Sequence, residues 1–167
     1  VCSKRTHRSF ALRYAKRGFT VFNIDYRLMP EHRYPAAFHD SARALLWVKE
    51  NAHRFGADPE RIVIAGESAG GNLTLGLAVA ASYDLRNDEW ASRVYDANPN
   101  IKAILPACAV LQLSNCARLW RENKAIPLVA RMVMRAMEQD YLPAAGDGPA
   151  CPDFADPLKV IERASPD

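Results

Sequence analysis

Ile62-Val63-Ile64-Ala65-Gly66-Glu67-Ser68-Ala69-Gly70-Gly71-Asn72-Leu73-Thr74-Leu75 is the stretch on which the reading of this chain turns. Its first residues are apolar or β-branched and read as a strand buried on both faces, as a central parallel strand must be. Gly66 ends the strand, a sharp turn carries Ser68, and a small-residue helix leaves at once. That order of strand, turn and helix is the pattern of a nucleophile elbow, which lifts a serine hydroxyl out of the sheet. Ser68 is therefore the candidate nucleophile. The backbone N–H of Ala69, at the start of the helix, is placed to donate to a developing oxyanion. Gly66, Glu67, Gly70 and Gly71 complete the elbow. The flanking glycines are expected to leave no side chain that would collide with the neighbouring strand and helix. Glu67 reads either as a residue behind the site or as a solvent-facing part of the turn. The plainer alternative for the whole stretch is a strand-to-helix turn whose serine only caps the helix.

The rest of the composition limits what such a serine could do. The chain has 167 residues, of which 49% are apolar and 25% charged, ordinary proportions for a globular protein with a sizeable core. Its 22 basic and 19 acidic residues give a net charge of +3, too balanced to argue for nucleic acid. Lys4, Arg5, Arg8, Arg13, Lys16 and Arg17 crowd the start and read as the solvated face of an opening helix, with Phe10 and Tyr14 on its buried side. Cys2, Cys108, Cys116 and Cys151 form no C-x-x-C pair and no dense framework, so they are expected to be reduced apolar fillers, not zinc ligands or disulfides. The uncharged run from Gly70 to Tyr83 is too short and glycine-rich to span a membrane, and the basic start lacks the apolar core of a signal peptide. The expected location is the cytoplasm, with no stable membrane insertion.

Strand and helix alternate along the chain. Thr20 to Tyr26 is β-branched and aromatic, follows Gly18, and reads as a strand. From Ala36 to Asn51 the positions Phe38, Ala42, Leu45, Leu46 and Val48 recur at helical spacing, giving a crossover helix. Arg61 to Gly66 is the next strand, Ser68 to about Ser82 the helix after it, and Ile101 to Leu105 a third strand ended by Pro106. The stretch Tyr83 to Asn100 between them is polar. Two consecutive β-α-β units predict a parallel sheet with ligands gathered at the carboxyl ends of its strands, where Ser68 lies. Farther on, Ile126, Val129, Met132, Val133, Ala136 and Met137 form an apolar stripe on a basic helix. It suits ordinary packing or a surface accepting varied apolar ligands. Ala144 to Pro152 reads as a loop.

Asp25-Tyr26-Arg27-Leu28-Met29-Pro30-Glu31-His32, Tyr34-Pro35-Ala36-Ala37, Gly56-Ala57-Asp58-Pro59-Glu60-Arg61-Ile62 and the elbow itself closely resemble the hormone-sensitive-lipase family of α/β-hydrolases. The resemblance runs in order from about Thr20 to Leu77, and more loosely to Pro157-Leu158. It implies a partial α/β-hydrolase fold, with a parallel central sheet flanked by helices and a partial helical cap. It implies a single partial domain over 1–167: core units in 1–115, cap helices in 116–150 and a return toward the core in 151–167. It also implies attack by the serine on small-molecule carboxylic esters, chemistry that needs no metal or organic cofactor. Asp25, Arg27, Glu31 and His32 are read as a buried structural ion-pair network rather than as catalytic groups. Asn72-Leu73-Thr74 matches a glycosylation sequon, but its place inside a helix argues against use.

Histidine sets the limit of the reading. A triad of this fold runs serine, then acid, then histidine, because the serine needs a base and the base an orienting carboxylate. His7, His32, His39 and His53 all precede Ser68, and none follows it. Asp153 and Asp156 do follow, but without a base neither can be assigned. The resemblance places the triad acid and histidine beyond Asp167 and the His-Gly-Gly-Gly oxyanion loop ahead of Val1, so the chain is expected to be the middle of a longer hydrolase. Three functions survive: a serine carboxylesterase, a non-catalytic small-molecule receptor on the same fold, and a degenerate protein with an interaction role.

Overall fold

The computed structural model describes residues 3–85, 88–116, 118, 121, 125–136, 141–142 and 154–164. Its helices and strands, in order, are α1 (Arg8–Ala15), α2 (Ala36–Asn51), a 3-10 turn (Ala52–Phe55), β1 (Ile62–Glu67), α3 (Ala69–Ser82), α4 (Glu89–Ala97), β2 (Ile101–Ala107), α5 (Leu128–Ala136) and α6 (Pro157–Ala164). β1 and β2 pair in parallel, from Ile62 opposite Ile101 to Glu67 opposite Ala107, with one irregularity after Ile62. Parallel strands need a crossover, and the chain between them supplies it in α3 and α4. Helix α3 lies against both strands and also packs on α2, α4 and α6.

An aromatic cluster forms the centre of the core. Phe38 of α2 is fully buried, stacks on Trp90 of α4 at 5.1 Å between centroids, and Trp90 meets Phe154 edge-on at 4.5 Å. Edge and stacked geometries are those the ring quadrupoles favour. Leu45, Leu73, Leu77 and Val94 close around these rings. The apolar positions that recur along α2 thus become its contact face with α3 and α4.

Three expectations are corrected. Thr20–Tyr26 is not a hydrogen-bonded strand, because no other strand lies beside it among the described residues; Phe22 holds it in place by edge contacts with Trp47 and Phe55. The polar stretch 83–100 contains α4, whose Trp90, Ala91 and Val94 are buried. Pro106 does not end β2, which runs on to Ala107. Ala107 turns its carbonyl to β1, so the neighbouring Pro106 turns its missing N–H to the other side, where among the described residues no ladder bond is lost.

The opening helix is shorter than the basic run, with Phe10 and Tyr14 half-buried and 5.2 Å apart. Of the apolar stripe, Val129, Met132 and Val133 are exposed, Val129 at 72%, whereas Ile126 and Ala136 are half-buried. Met137, the expected loop Ala144–Pro152, Asp153, Cys2 and Cys151 lie outside the described residues.

Candidate active site

Ser68 stands at the carboxyl end of β1 with φ 55° and ψ −114°, a conformation that costs an ordinary residue about 1–3 kcal/mol. Two contacts hold it. Its N–H donates to Ala107 O at 2.9 Å, tying the turn to the end of β2, and its carbonyl accepts from Asn72 N–H as the first bond of α3. β2 also leaves its last residue through a positive φ, 48° at Cys108. Both strands therefore turn away sharply at the same edge of the sheet, and Ser68 is exposed there.

The glycines share the steric load unevenly. A Cβ on Gly66 would sit 2.2 Å from Gly70 O and 2.8 Å from Thr74 Oγ1, so strand and helix can approach this closely only without a side chain. A Cβ on Gly71 would meet Ala109 Cβ at 2.7 Å. Gly70 has nothing within 4 Å, so the expectation that both flanking glycines avoid a clash is met at Gly66 and not at Gly70. Gly71 carries that second restriction instead.

Glu67 is exposed and sits 3.5 Å from His7 Nε2. His7 is thereby the histidine brought beside the elbow, but its contact is with Glu67; among the described residues no hydrogen bond reaches Ser68 Oγ. The cluster Asp25, Arg27, Glu31 and His32 is not a buried network. Asp25 pairs with Lys4 at 3.2 Å, and Arg27 grips Asp40 through Nε at 2.8 Å and Nη2 at 2.9 Å. The Arg27 side-chain bonds, opposed by desolvation, hold the Asp40 carboxyl below its ordinary value. Both pairs lie toward solvent, which suits a loop that must satisfy its charges without the cost of burying them. Glu31 and His32 are exposed.

Two buried polar side chains brace the elbow from behind. Asn72, 4% exposed, donates from Nδ2 to Val110 O at 2.7 Å and Ala155 O at 2.9 Å. Its amide nitrogen is thus committed, and the sequon is buried. Asp156, 1% exposed, accepts from the N–H groups of Leu113 at 2.5 Å and Ser114 at 2.9 Å, from Ser114 Oγ, and from Lys159 Nζ at 2.7 Å. Burial pushes its pKa up, but the bonds from Lys159 and Ser114 outweigh burial and leave it below the ordinary value. Its oxygens are fully engaged in joining the loop after β2 to α6. The sequence pattern does not announce this tie, although Asp156-Pro157 is a helix-start signal and α6 begins at Pro157.

With this geometry in view, comparison with known proteins is direct. Residues 1–164 match the family model described as alpha/beta hydrolase fold. The chain belongs to that family, in its hormone-sensitive-lipase-like branch. It is 56% identical over 61 residues to the carboxylesterase NlhH of Mycobacterium tuberculosis, covering 36% of this chain and 19% of that one. It is 32% identical over 126 residues to arylacetamide deacetylase of Oryctolagus cuniculus, covering 72% of this chain and 29% of the other. The structure of a hyperthermophilic esterase from the archaeon Pyrobaculum calidifontis superposes with a TM-score of 0.76 at 27% identity, over 95% of this chain and 47% of that one. The chain thus spans less than half the length of these relatives. Among the described residues, no helix is long and apolar enough to cross a membrane.

Proposed function

We propose that the chain carries the nucleophile of a serine carboxylic-ester hydrolase acting on small-molecule esters. The single observation that supports this most is the positive-φ turn at Ser68, pinned to β2 through Ala107 O and followed at once by α3. In this reading Ser68 Oγ attacks the ester carbonyl and the alcohol leaves, giving an acyl-enzyme that water then hydrolyses. Ala69 N–H, at the positive end of α3, donates to the oxyanion. Gly66, Glu67, Gly70 and Gly71 shape the turn. The base and its orienting acid are proposed to come from polypeptide beyond these 167 residues, since no histidine follows Ser68 and Asp156 is engaged elsewhere.

The domain reading extends the proposal, with core units in 1–115, cap helices in 116–150 and a return in 151–167. The exposed apolar face of α5 and the seating of Phe154 in the core support the last two assignments. A cytoplasmic location fits the free thiols of Cys108 and Cys116. The test is covalent labelling of the longer parent protein with a fluorophosphonate. Incorporation at Ser68 that disappears in Ser68→Ala supports the reading, whereas hydrolysis of short p-nitrophenyl esters undiminished in Ser68→Ala refutes it. A parent protein that takes up neither reagent but binds a small molecule would favour the receptor alternative.

A further inference from the structure

Charge is spread unevenly along the chain. Six of the 22 basic residues and none of the 19 acidic ones lie in residues 1–24, whereas the remainder holds 16 basic against all 19 acidic residues, a net −3 with histidine neutral. Helix α1 gathers that excess on one side. Arg8, Leu12, Arg13 and its C-cap Lys16 fall on roughly one half of the helix at 3.6 residues per turn, and all are exposed. Phe10, Ala11 and Tyr14, on the other half, are half-buried. Arg5 and Arg17 extend the basic face at its two ends, and Leu12, 46% exposed, sits among the cations. The face is anchored to the fold: Lys4 N–H donates to Asp25 Oδ1 at 2.7 Å, Asn23 Nδ2 donates to Lys4 O at 2.9 Å, and Tyr14 meets Phe10 and Phe19 edge-on. Neither of two ordinary reasons for surface cations accounts for it. Asp25 and Glu67 are met by Lys4 and His7, and among the described residues no carboxylate pairs with Arg8, Arg13, Lys16 or Arg17. A helix dipole favours cations at the C-terminal end, where Arg17 Nη1 does donate to Arg13 O at 3.1 Å, but Arg5 and Arg8 stand at the opposite end, whose first turn holds no acidic residue.

We propose that the basic face of α1 docks on an anionic phospholipid surface. Headgroup phosphates and carboxylates supply the counter-charges that the fold itself does not, and each Lys or Arg near such a surface strengthens binding about fivefold. Leu12 favours lipid over other polyanions. Among the cations it can enter the boundary between headgroups and acyl chains, whereas the sugar-phosphate backbone of a nucleic acid offers it no apolar partner. The contact is peripheral, since no helix among the described residues is long and apolar enough to cross a membrane. It also has one orientation, because the net negative remainder of the chain is repelled by the same surface that attracts α1. Neither Ser68 nor a catalytic base is needed, so the docking stands apart from the ester-hydrolase reading.

Flotation of the longer parent protein with lipid vesicles tests this. The protein should bind phosphatidylcholine vesicles carrying about 30% phosphatidylserine, ignore pure phosphatidylcholine, and come off as salt rises from about 0.1 M to about 0.5 M. Arg8→Gln, Arg13→Gln, Lys16→Gln and Arg17→Gln combined should weaken binding at least about thirtyfold. These side chains are exposed, so Tm should not change; replacing the same three arginines by lysine keeps the charge and should keep binding within about twofold. Removing four exposed cations elsewhere, by Arg43→Gln, Arg54→Gln, Arg93→Gln and Lys102→Gln, should also leave binding within about twofold. Leu12→Ser should weaken it about fivefold. The proposal is overturned if pure phosphatidylcholine binds as well, if the glutamine set on α1 binds like wild type, if the lysine set or the distant set loses as much, or if Leu12→Ser changes nothing. Duplex DNA that displaces the protein from the vesicles at equal phosphate would assign the face to nucleic acid and overturn it too. Binding is read without turnover, so failure here leaves the ester-hydrolase reading intact, and failure of fluorophosphonate labelling leaves the docking intact.

Discussion

At the residue scale, the elbow combines one strained residue with two glycines, Gly66 and Gly71, at which a side chain would clash. Gly66→Ala should destabilise by about 1–3 kcal/mol, since its Cβ would overlap the Gly70 carbonyl. Gly70→Ala should be neutral, or stabilising by up to about 1 kcal/mol, because its Cβ meets nothing and alanine favours the helix. Urea unfolding of the two variants side by side checks the contrast; equal losses would mean that the strand-to-helix approach does not limit the turn. The sequence made Gly66 and Ser68 legible, because a strand, a turn and a helix must follow one another there. It could not distinguish Gly70 from Gly71. Which of the two faces the loop after β2 depends on helix phase and on where Ala109 lies.

At the scale of elements, α6 and the loop after β2 are held to α3 by buried polar groups as well as by apolar packing. Asn72→Ala strands Val110 O and Ala155 O, at about 1–3 kcal/mol for each group left unpaired, measurable as a fall in the urea midpoint. Asp156 has a folded pKa below its ordinary value. Its stabilising contribution is therefore present above the unfolded pKa, near 4, and lost as pH falls through the folded value. Stability measured across acid pH should drop over that window in the wild type, and Asp156→Asn should flatten the drop. An unchanged pH profile in Asp156→Asn would show that another carboxylate governs it. Phe38→Ala, which empties the site beside Trp90 and Phe154, should cost about 3–5 kcal/mol. Helix α2 was readable from its apolar spacing over its full length. Helix α4 was not, since Trp90, Ala91 and Val94 are few among charged neighbours, and only packing on α2 and α3 shows their purpose.

At the scale of the whole molecule, the 167 residues hold an elbow and a core but no histidine after the serine. The chain by itself should turn over short p-nitrophenyl esters only marginally; robust turnover lost in Ser68→Ala would mean that a base has been recruited from within it, with His7 beside Glu67 the first to examine. The sequence by itself determined the alternation of strand and helix, the elbow and the family, because these are local or near-local patterns that repeat in fixed order. Only the tertiary structure decided that Thr20–Tyr26 joins no sheet among the described residues, that the charges near it pair at the surface, and that Asp156 is a tether. Those outcomes depend on which segments become neighbours in space. A β-branched run states a preference for extended backbone, but a strand exists only where another strand's N–H and C=O groups stand beside it.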